Sequence, residues 1–371
     1  RYIRHTKGRW AGQPLILEAF QQAFVDELLE LGPDGRRVYT EALLGIPRKN
    51  GKSTLAAALG LYLLIADGET GPEVYAAAAA RDQARVIFNQ ARDFVDASPP
   101  LQDFVRARQY HIEARQNRGV FRVLSSDARL QHGLNPSGVV IDELWAHESP
   151  DLYTALTSGS GAREQPLTVT ITTAGFDEEQ ILGRIYGRAV EGKIERFPFL
   201  IKSRDRDNRF MMWWFGADRD ADADDPKVWR GANPAPWITE EYLRVERYKP
   251  SMRLADFKRL HLNAWVQVET DWLPPGAWAR CEEGPYQDDP THGLDRRKPL
   301  VVGIDFASTE DTTAVVLAQK LDDITTLRAR FWTNPYLPTD RRHGTWHLDA
   351  DEVFAFLGQL RRRLSRLWLP R

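Results

Sequence analysis

Up to about residue 175, short apolar runs alternate with stretches of helical periodicity, a pattern that predicts stacked βα units around a mostly parallel sheet. Val38–Ile46 predicts a strand running into a loop at Pro47–Gly51, followed by an alanine- and leucine-rich helix from about Ser53 to Ile65. Val74–Ala80 has the small apolar side chains of a buried strand. The helix predicted over Asp82–Val95 is stopped by Ser98-Pro99-Pro100. Val120–Leu124, Gly138–Ile141 and Leu167–Thr172 supply further short strands.

From about 177 to 270 the pattern changes, with many Trp, Arg and Asp residues and the turn segment Asn233-Pro234-Ala235-Pro236. A helical stretch over Glu240–Asn263 closes this part. The prolines at 274, 275, 285 and 290 mark a linker over 271–298. Leu300–Phe306, Thr312–Gln319 and Thr325–Trp332 then predict three successive strands. Asp349–Leu364 predicts a helix, opened by Asp349 with Glu352 three residues on, as in a capping box. A three-strand meander followed by a helix is how ribonuclease-H-like folds begin. The expected division is therefore 1–176, 177–270, a linker, and 299–371.

Composition narrows the class without deciding it. The 371 residues are 42% hydrophobic and 27% charged, ordinary values for a globular chain. No apolar run approaches the roughly 20 residues of a membrane span, so no membrane partner is expected. The single cysteine, Cys281, excludes an internal disulfide and fits a reducing compartment. With a net charge of −2, a nucleic-acid partner has to be gripped by a local basic surface. The chain starts at Arg1 without methionine, which suggests a trimmed piece of a longer protein.

The sharpest chemical signal is Gly45-Ile46-Pro47-Arg48-Lys49-Asn50-Gly51-Lys52-Ser53-Thr54. A phosphate-binding loop needs inward-facing backbone N–H groups at a helix N-terminus, a glycine, a lysine and a hydroxyl. Gly51, Lys52 and Ser53 supply these, although the usual first glycine position is held by Ile46. A Gly-Lys-Ser tripeptide alone also occurs in surface turns. A second signal is Gly138-Val139-Val140-Ile141-Asp142-Glu143, an apolar strand ending in two carboxylates. This is the Walker B arrangement, in which Asp142 holds the Mg²⁺ shell and Glu143 orients the attacking water. The strand Thr168–Thr172 leads into Thr173-Ala174-Gly175 and places hydroxyls beside the same site.

Arg48-Lys49-Asn50-Gly51-Lys52-Ser53, Val140-Ile141-Asp142-Glu143 and Ile171-Thr172-Thr173-Ala174-Gly175 together resemble the successive ATPase motifs of large terminases of HK97-like tailed phages. Lys7-Gly8-Arg9-Trp10-Ala11-Gly12 and Leu17-Glu18-Ala19-Phe20-Gln21 resemble that family's N-terminal segment. Asp225-Pro226-Lys227-Val228-Trp229, Ala232-Asn233-Pro234 and His261-Leu262-Asn263 with Trp265 are similar to later parts of it. The resemblance implies an α/β protein: a P-loop ATPase with a mostly parallel sheet and a lid, followed by a partial ribonuclease-H-like nuclease domain. It implies a motor that pumps double-stranded DNA into an empty capsid and an endonuclease that cuts concatemers.

For the site, it implies ATP and Mg²⁺ at Gln21, which reads adenine, and at Arg48, Lys49, Asn50, Gly51, Lys52, Ser53 and Thr54. It places Arg48 near the γ-phosphate, Ser53 and Asp142 on the metal, and Thr172 and Thr173 in coupling. Arg129 is a candidate for the arginine that reaches a neighbouring subunit's ATP. Leu300–Ala307 resembles the first nuclease strand, with Asp305 a ligand for Mg²⁺ or Mn²⁺. Two-metal cleavage needs several carboxylates, so the nuclease is expected to be incomplete in this chain, with Glu310 and Asp311 as further candidates. Implied partners are the portal protein, the small terminase subunit and further copies in a ring, such as a pentamer. The implied location is the host bacterial cytoplasm, docked transiently on the procapsid. A helicase-like or remodelling ATPase is the alternative, which predicts a second ATPase-like domain after Gly175.

Other patterns carry less. Asp218, Asp220, Asp222 and Asp224 alternate as in a calcium loop, but Ala223 and Trp229 occupy positions that need glycine and glutamate. His343 and His347 lack a third ligand for zinc. The arginines at 361, 362, 363 and 366 offer contacts for DNA phosphates, but consecutive ones point round a helix and fit a solvated face at least as well.

Overall fold

The computed structural model describes residues 2–124, 133–147, 149–176, 179–266, 294–295, 298–306, 313–321, 324–332 and 350–363. The chain divides into two compact units, Arg1–Pro274 and Pro275–Arg371.

Along the first unit run α1 (Ala19–Leu28), β1 (Glu41–Gly45), α2 (Lys52–Ile65), β2 (Glu73–Ala78), α3 (Arg81–Asp96) and α4 (Pro99–Gln102). The hairpin strands β3 (Val105–Ala107), β4 (His111–Ala114) and β5 (Val120–Val123) follow. Then come β6 (Gly138–Asp142), α5 (Asp151–Ser158), β7 (Leu167–Thr172), α6 (Ile181–Glu191), β8 (Ile194–Phe197), β9 (Leu200–Asp205) and β10 (Phe210–Phe215). Three short helices, α7 (Pro226–Ala232), α8 (Glu240–Arg247) and α9 (Leu254–His261), form the lid.

All ten strands make one sheet, ordered β3-β4-β5-β2-β6-β7-β1-β10-β9-β8. The six from β5 to β10 in that order are parallel, and the outer pairs are antiparallel. Every residue of β6 and β7 is buried, as expected of parallel strands covered on both faces. Alternate residues divide between two cores. Leu44, Ala76, Val140, Val169 and Trp213 pack with α1, α2 and α3, whereas Leu43, Ala77, Ile141, Met212 and Trp214 pack with α5 and α6.

The strands predicted before residue 175 are present with ends shifted by a few residues. The larger difference lies between 194 and 215, where the sequence shows only a change of character but the chain adds three strands to the sheet. β10 lies parallel to β1, with Glu41 opposite Phe210 and Gly45 opposite Trp214. The single helix expected over Glu240–Asn263 is two, α8 and α9, because Pro250 cannot continue a helix and disfavours helical backbone at Lys249.

The lid has its own core of Trp229, Ile238, Leu243, Phe257 and Leu262. Asp225 caps α7 by accepting from Lys227 N at 2.8 Å, and Thr239 caps α8 by accepting from Tyr242 N at 3.2 Å. Asp224 pairs with Arg247 at 2.9 Å, so one of the alternating aspartates serves the lid's own fold.

In the second unit, β11 (Val301–Asp305), β12 (Thr313–Leu321) and β13 (Ile324–Trp332) form an antiparallel meander. Val353, Phe356 and Leu360 of α10 (Ala350–Arg363) pack against Leu300, Val315, Leu317 and Trp332. Their spacing of three and four residues puts them on one helix face. The predicted α/β class holds in both units.

Candidate nucleotide site

Strands β6, β7 and β1 are consecutive in the sheet, so the loops leaving their carboxyl ends meet, where ligands of open α/β sheets bind. Between β1 and α2 the chain makes the loop Ile46–Gly51. Gly51 adopts φ 86°, a left-handed conformation that glycine tolerates, and so turns the chain into α2. Gly45 is a glycine for another reason: a Cβ there would lie 2.1 Å from the Trp214 ring on β10. The glycine expected at 46 is replaced by buried Ile46, whose N–H donates to Thr172 O at 3.0 Å and ties the loop to β7.

Lys52 opens α2 with its ammonium folded back over the loop, donating to Ile46 O at 2.9 Å and Pro47 O at 3.3 Å. Burial pushes its pKa down, opposed by the carboxylates of Glu143 and Asp142. Asp142 ends β6, and its pKa is pushed up to about 7, first by burial and then by neighbouring Glu143. Its Oδ1 is buried without a hydrogen-bond donor. A buried carboxylate with an open acceptor beside a lysine fits one ligand of Mg²⁺, which takes one or two protein carboxylates and otherwise phosphate and water. The described residues contain no cluster of three or more His, Cys, Asp or Glu that could hold a metal alone.

Glu143 has left-handed backbone, φ 48° and ψ 55°. Its N–H donates to Ile171 O at 2.9 Å, and its Oε2 accepts from Trp145 Nε1 at 2.5 Å and Thr173 Oγ1 at 3.2 Å. Thr172 donates its hydroxyl to Thr173 O at 2.9 Å. The threonine hydroxyls thus serve the carboxylate and the strand end.

A cleft of about 700 Å³ opens here, lined among others by Gln21, Arg48, Lys49, Gly51, Lys52, Ser53, Thr54 and Glu143. The structure therefore gathers most of the residues singled out in the sequence. Gln21 Oε1 accepts from Glu18 N at 3.0 Å in the capping box of α1, which orients its amide. Asn50 is placed differently from the rest of the loop. Its amide turns away from the cleft to the lid, donating to Asn233 Oδ1 at 2.8 Å and accepting from Ala235 N at 3.1 Å.

Three neighbours were not among the residues singled out in the sequence. Trp237 of the lid covers Gly51 and donates to Lys49 O at 2.8 Å, holding Lys49 at φ 67°. Trp145 binds Glu143, and Arg259 of α9 lies over the Trp145 ring at 4.4 Å. Trp145 follows Glu143 by two residues and was open to notice; nothing local flags Arg259.

In the second unit Asp305 ends β11 opposite Ala314 and is exposed. Arg129, Glu310, Asp311, Asp349, His343 and His347 lie outside the described residues.

Residues 20–191 match the family model for the terminase large subunit ATPase domain, and residues 204–352 that for the terminase large subunit endonuclease domain. The chain belongs to the terminase large subunit family. The large terminase subunit of Enterobacteria phage HK97 is 27% identical over 350 residues, covering 90% of this chain and 63% of that protein. Protein YmfN of Escherichia coli (strain K12) is 30% identical over 224 residues, 57% of this chain and 46% of that protein. The crystal structure of the HK97 bacteriophage large terminase superposes with a TM-score of 0.61 at 25% identity, covering 97% of this chain and 75% of that one. The chain thus spans less than two thirds of the length of either relative matched by sequence. A meander in place of a second ATPase-like domain after Gly175, together with the endonuclease match, disfavours the helicase-like alternative.

Proposed function

We propose that this terminase large subunit is the ATP-hydrolysing motor that drives double-stranded DNA into a procapsid, with a metal-dependent endonuclease that cuts concatemeric DNA. The observation that carries the reading is that buried Lys52 and anchored Glu143 line one cleft, with the unpartnered Oδ1 of Asp142 beside Glu143 at the end of β6.

In this account the N–H groups at the start of α2 and the Lys52 ammonium receive the β- and γ-phosphates, with Arg48 at the γ-phosphate. Ser53 and Asp142 hold Mg²⁺, which when bound neutralises charge on the phosphate oxygens. Glu143 accepts a proton from, or orients, the attacking water. Gln21 meets the adenine edge, and Thr54 lines the phosphate end. Lys49 and Asn50 contribute through their backbone, since Asn50's side chain is engaged by the lid. Thr172 and Thr173 couple the strand end to Glu143.

Arg129 is assigned to a neighbouring subunit's ATP, a role that suits assembly as a ring, such as a pentamer. Trans-acting arginines are worth about 10³–10⁵ in rate, so an isolated subunit hydrolyses slowly. Mixing Arg129→Ala with Glu143→Ala subunits restores hydrolysis at hybrid interfaces if Arg129 acts in trans. Asp305 is assigned to the nuclease metal, Mg²⁺ or Mn²⁺. The partners are DNA, the portal protein and the small terminase subunit, and the location is the host bacterial cytoplasm with transient docking on the portal. Among the described residues no helix is long and apolar enough to cross a membrane.

The test is ATP hydrolysis by the full-length protein with and without DNA and empty procapsids. Stimulation by both supports a packaging motor; turnover indifferent to both overturns it.

A further inference from the structure

We propose that Trp145 is a positioning residue for Glu143, and that Arg259 fixes Trp145, so that the lid helix α9 sets the orientation of the water-activating carboxylate. This rests on the role given to Glu143 above.

Glu143 cannot hold its own orientation. Its left-handed backbone is a conformation that side-chain-bearing residues seldom adopt, and it needs support from its surroundings. The backbone is pinned by Ile171 O, but the carboxylate depends on Trp145 Nε1 at 2.5 Å and Thr173 Oγ1 at 3.2 Å. Both donors meet at Oε2, so Oε1 takes no hydrogen bond from either. The indole contact is the shorter, and a donor to an ionised carboxylate makes a strong, directional bond. An indole N–H is fixed by its ring, so the ring's packing dictates where the carboxylate points.

That packing comes from two directions. From the end of β7, Gly175 leaves room: a Cβ there would stand 3.3 Å from Trp145 Cβ, and Phe176 meets the Trp145 ring edge-on at 6.2 Å. From the lid, the Arg259 guanidinium lies 4.4 Å from the Trp145 ring centroid and 4.2 Å from that of Phe176. Arg259 is almost fully buried, where attraction between a cation and an aromatic face is strongest.

The same turn of α9 also reaches the phosphate loop. Leu260 O accepts from Arg48 N at 2.8 Å, and His261 O accepts from Asn233 Nδ2, whose side chain holds Asn50. One helix end therefore touches both the loop that receives phosphates and the ring that aims the base. A shift of α9 changes both together.

The test is a double-mutant cycle on the full chain with DNA, reading kcat and KM for ATP separately. Trp145→Phe keeps an aromatic face for Arg259 and removes the N–H. Misplacing a catalytic group by about 1 Å costs on the order of 10²-fold in rate. Trp145→Phe is expected to lower kcat by about that factor with KM unchanged, because Trp145 does not line the cleft. In a Glu143→Gln background the same substitution is expected to cause no further loss, since groups that act as one unit are not additive. Arg259→Met is expected to behave alike, and decides the matter if Trp145→Phe does not fold. A wild-type kcat in the folded variant, or an equal further loss in the Glu143→Gln background, overturns the proposal. Failure of the wild type to hydrolyse ATP, or full turnover by Glu143→Gln, instead overturns the role of Glu143 itself.

Discussion

Asn50 in the phosphate loop donates its amide to Asn233 in the lid across 2.8 Å, and both side chains are buried. The remaining atoms of the pair are also satisfied. Asn50 Oδ1 accepts from Ala235 N, while Asn233 Nδ2 donates to Trp229 O at 2.9 Å and His261 O at 2.8 Å. A network with no spare donor is rigid and costly to break. It fixes the lid on the loop without occupying the cleft.

Asn50→Ala strands the Ala235 N–H and the Asn233 oxygen in a buried place, where each lost partner costs about 1–3 kcal/mol. Denaturant unfolding of the variant is expected to show a stability loss of about 2 kcal/mol or more. A midpoint equal to wild type would mean that the pair does not hold the lid.

Lys52→Ala removes a buried ammonium facing Asp142 and Glu143. Phosphate release is expected to fall to background, while the fold survives because α2 remains buried through Leu55, Leu59 and Leu63. Circular dichroism alongside the assay separates lost chemistry from lost structure.

Arg37 and Asp67 form a buried ion pair, and Arg37 also donates to Gln165 O at 2.5 Å. Asp67→Ala leaves the guanidinium buried without its counter-charge and is expected to cost about 3–5 kcal/mol. Replacing both, with Arg37→Met and Asp67→Leu, is expected to cost less than Asp67→Ala alone. Urea midpoints of the two variants check the order.

His261 closes α9, stacked on Phe257 at 5.3 Å and edge-on to Tyr242 at 6.0 Å. Its pKa is depressed to about 4, mainly by burial, with Arg48, Lys249 and Lys49 adding to the effect and Glu246 opposing it. The unfolded chain takes up this proton near pH 6.5, whereas the folded protein refuses it until about 4. The contribution of His261 to stability is therefore full above pH 6.5 and is lost progressively as pH falls towards 4. Unfolding midpoints at several pH values are expected to decline over that window, and less steeply in His261→Gln.

The chemistry was legible where it is local. An apolar strand ending in Asp142-Glu143 and a loop ending in Gly51-Lys52-Ser53 carry their geometry in consecutive residues, so the fold only had to bring two strand ends together. What escaped depends on contacts far apart in sequence. Phe210–Phe215 shows no alternation, and its parallel pairing with β1 is set by the whole sheet. Gly45 looks like a displaced phosphate-loop glycine until Trp214 is seen against it. Asn50 sits inside the loop motif, yet its side chain answers to Asn233, 183 residues away. Arg259 meets Trp145 from α9, a helix far along the chain from the end of β6.

In the proposed reaction ATP is cleaved at the cleft between Lys52 and Glu143, with Glu143 acting on the water and not on nucleotide binding. The most direct test measures ATP affinity and DNA-stimulated phosphate release together for wild type and Glu143→Ala. Glu143→Ala is expected to retain affinity and to lose turnover on the order of 10³-fold, within the range lost with a general base. Wild-type turnover by Glu143→Ala would contradict it.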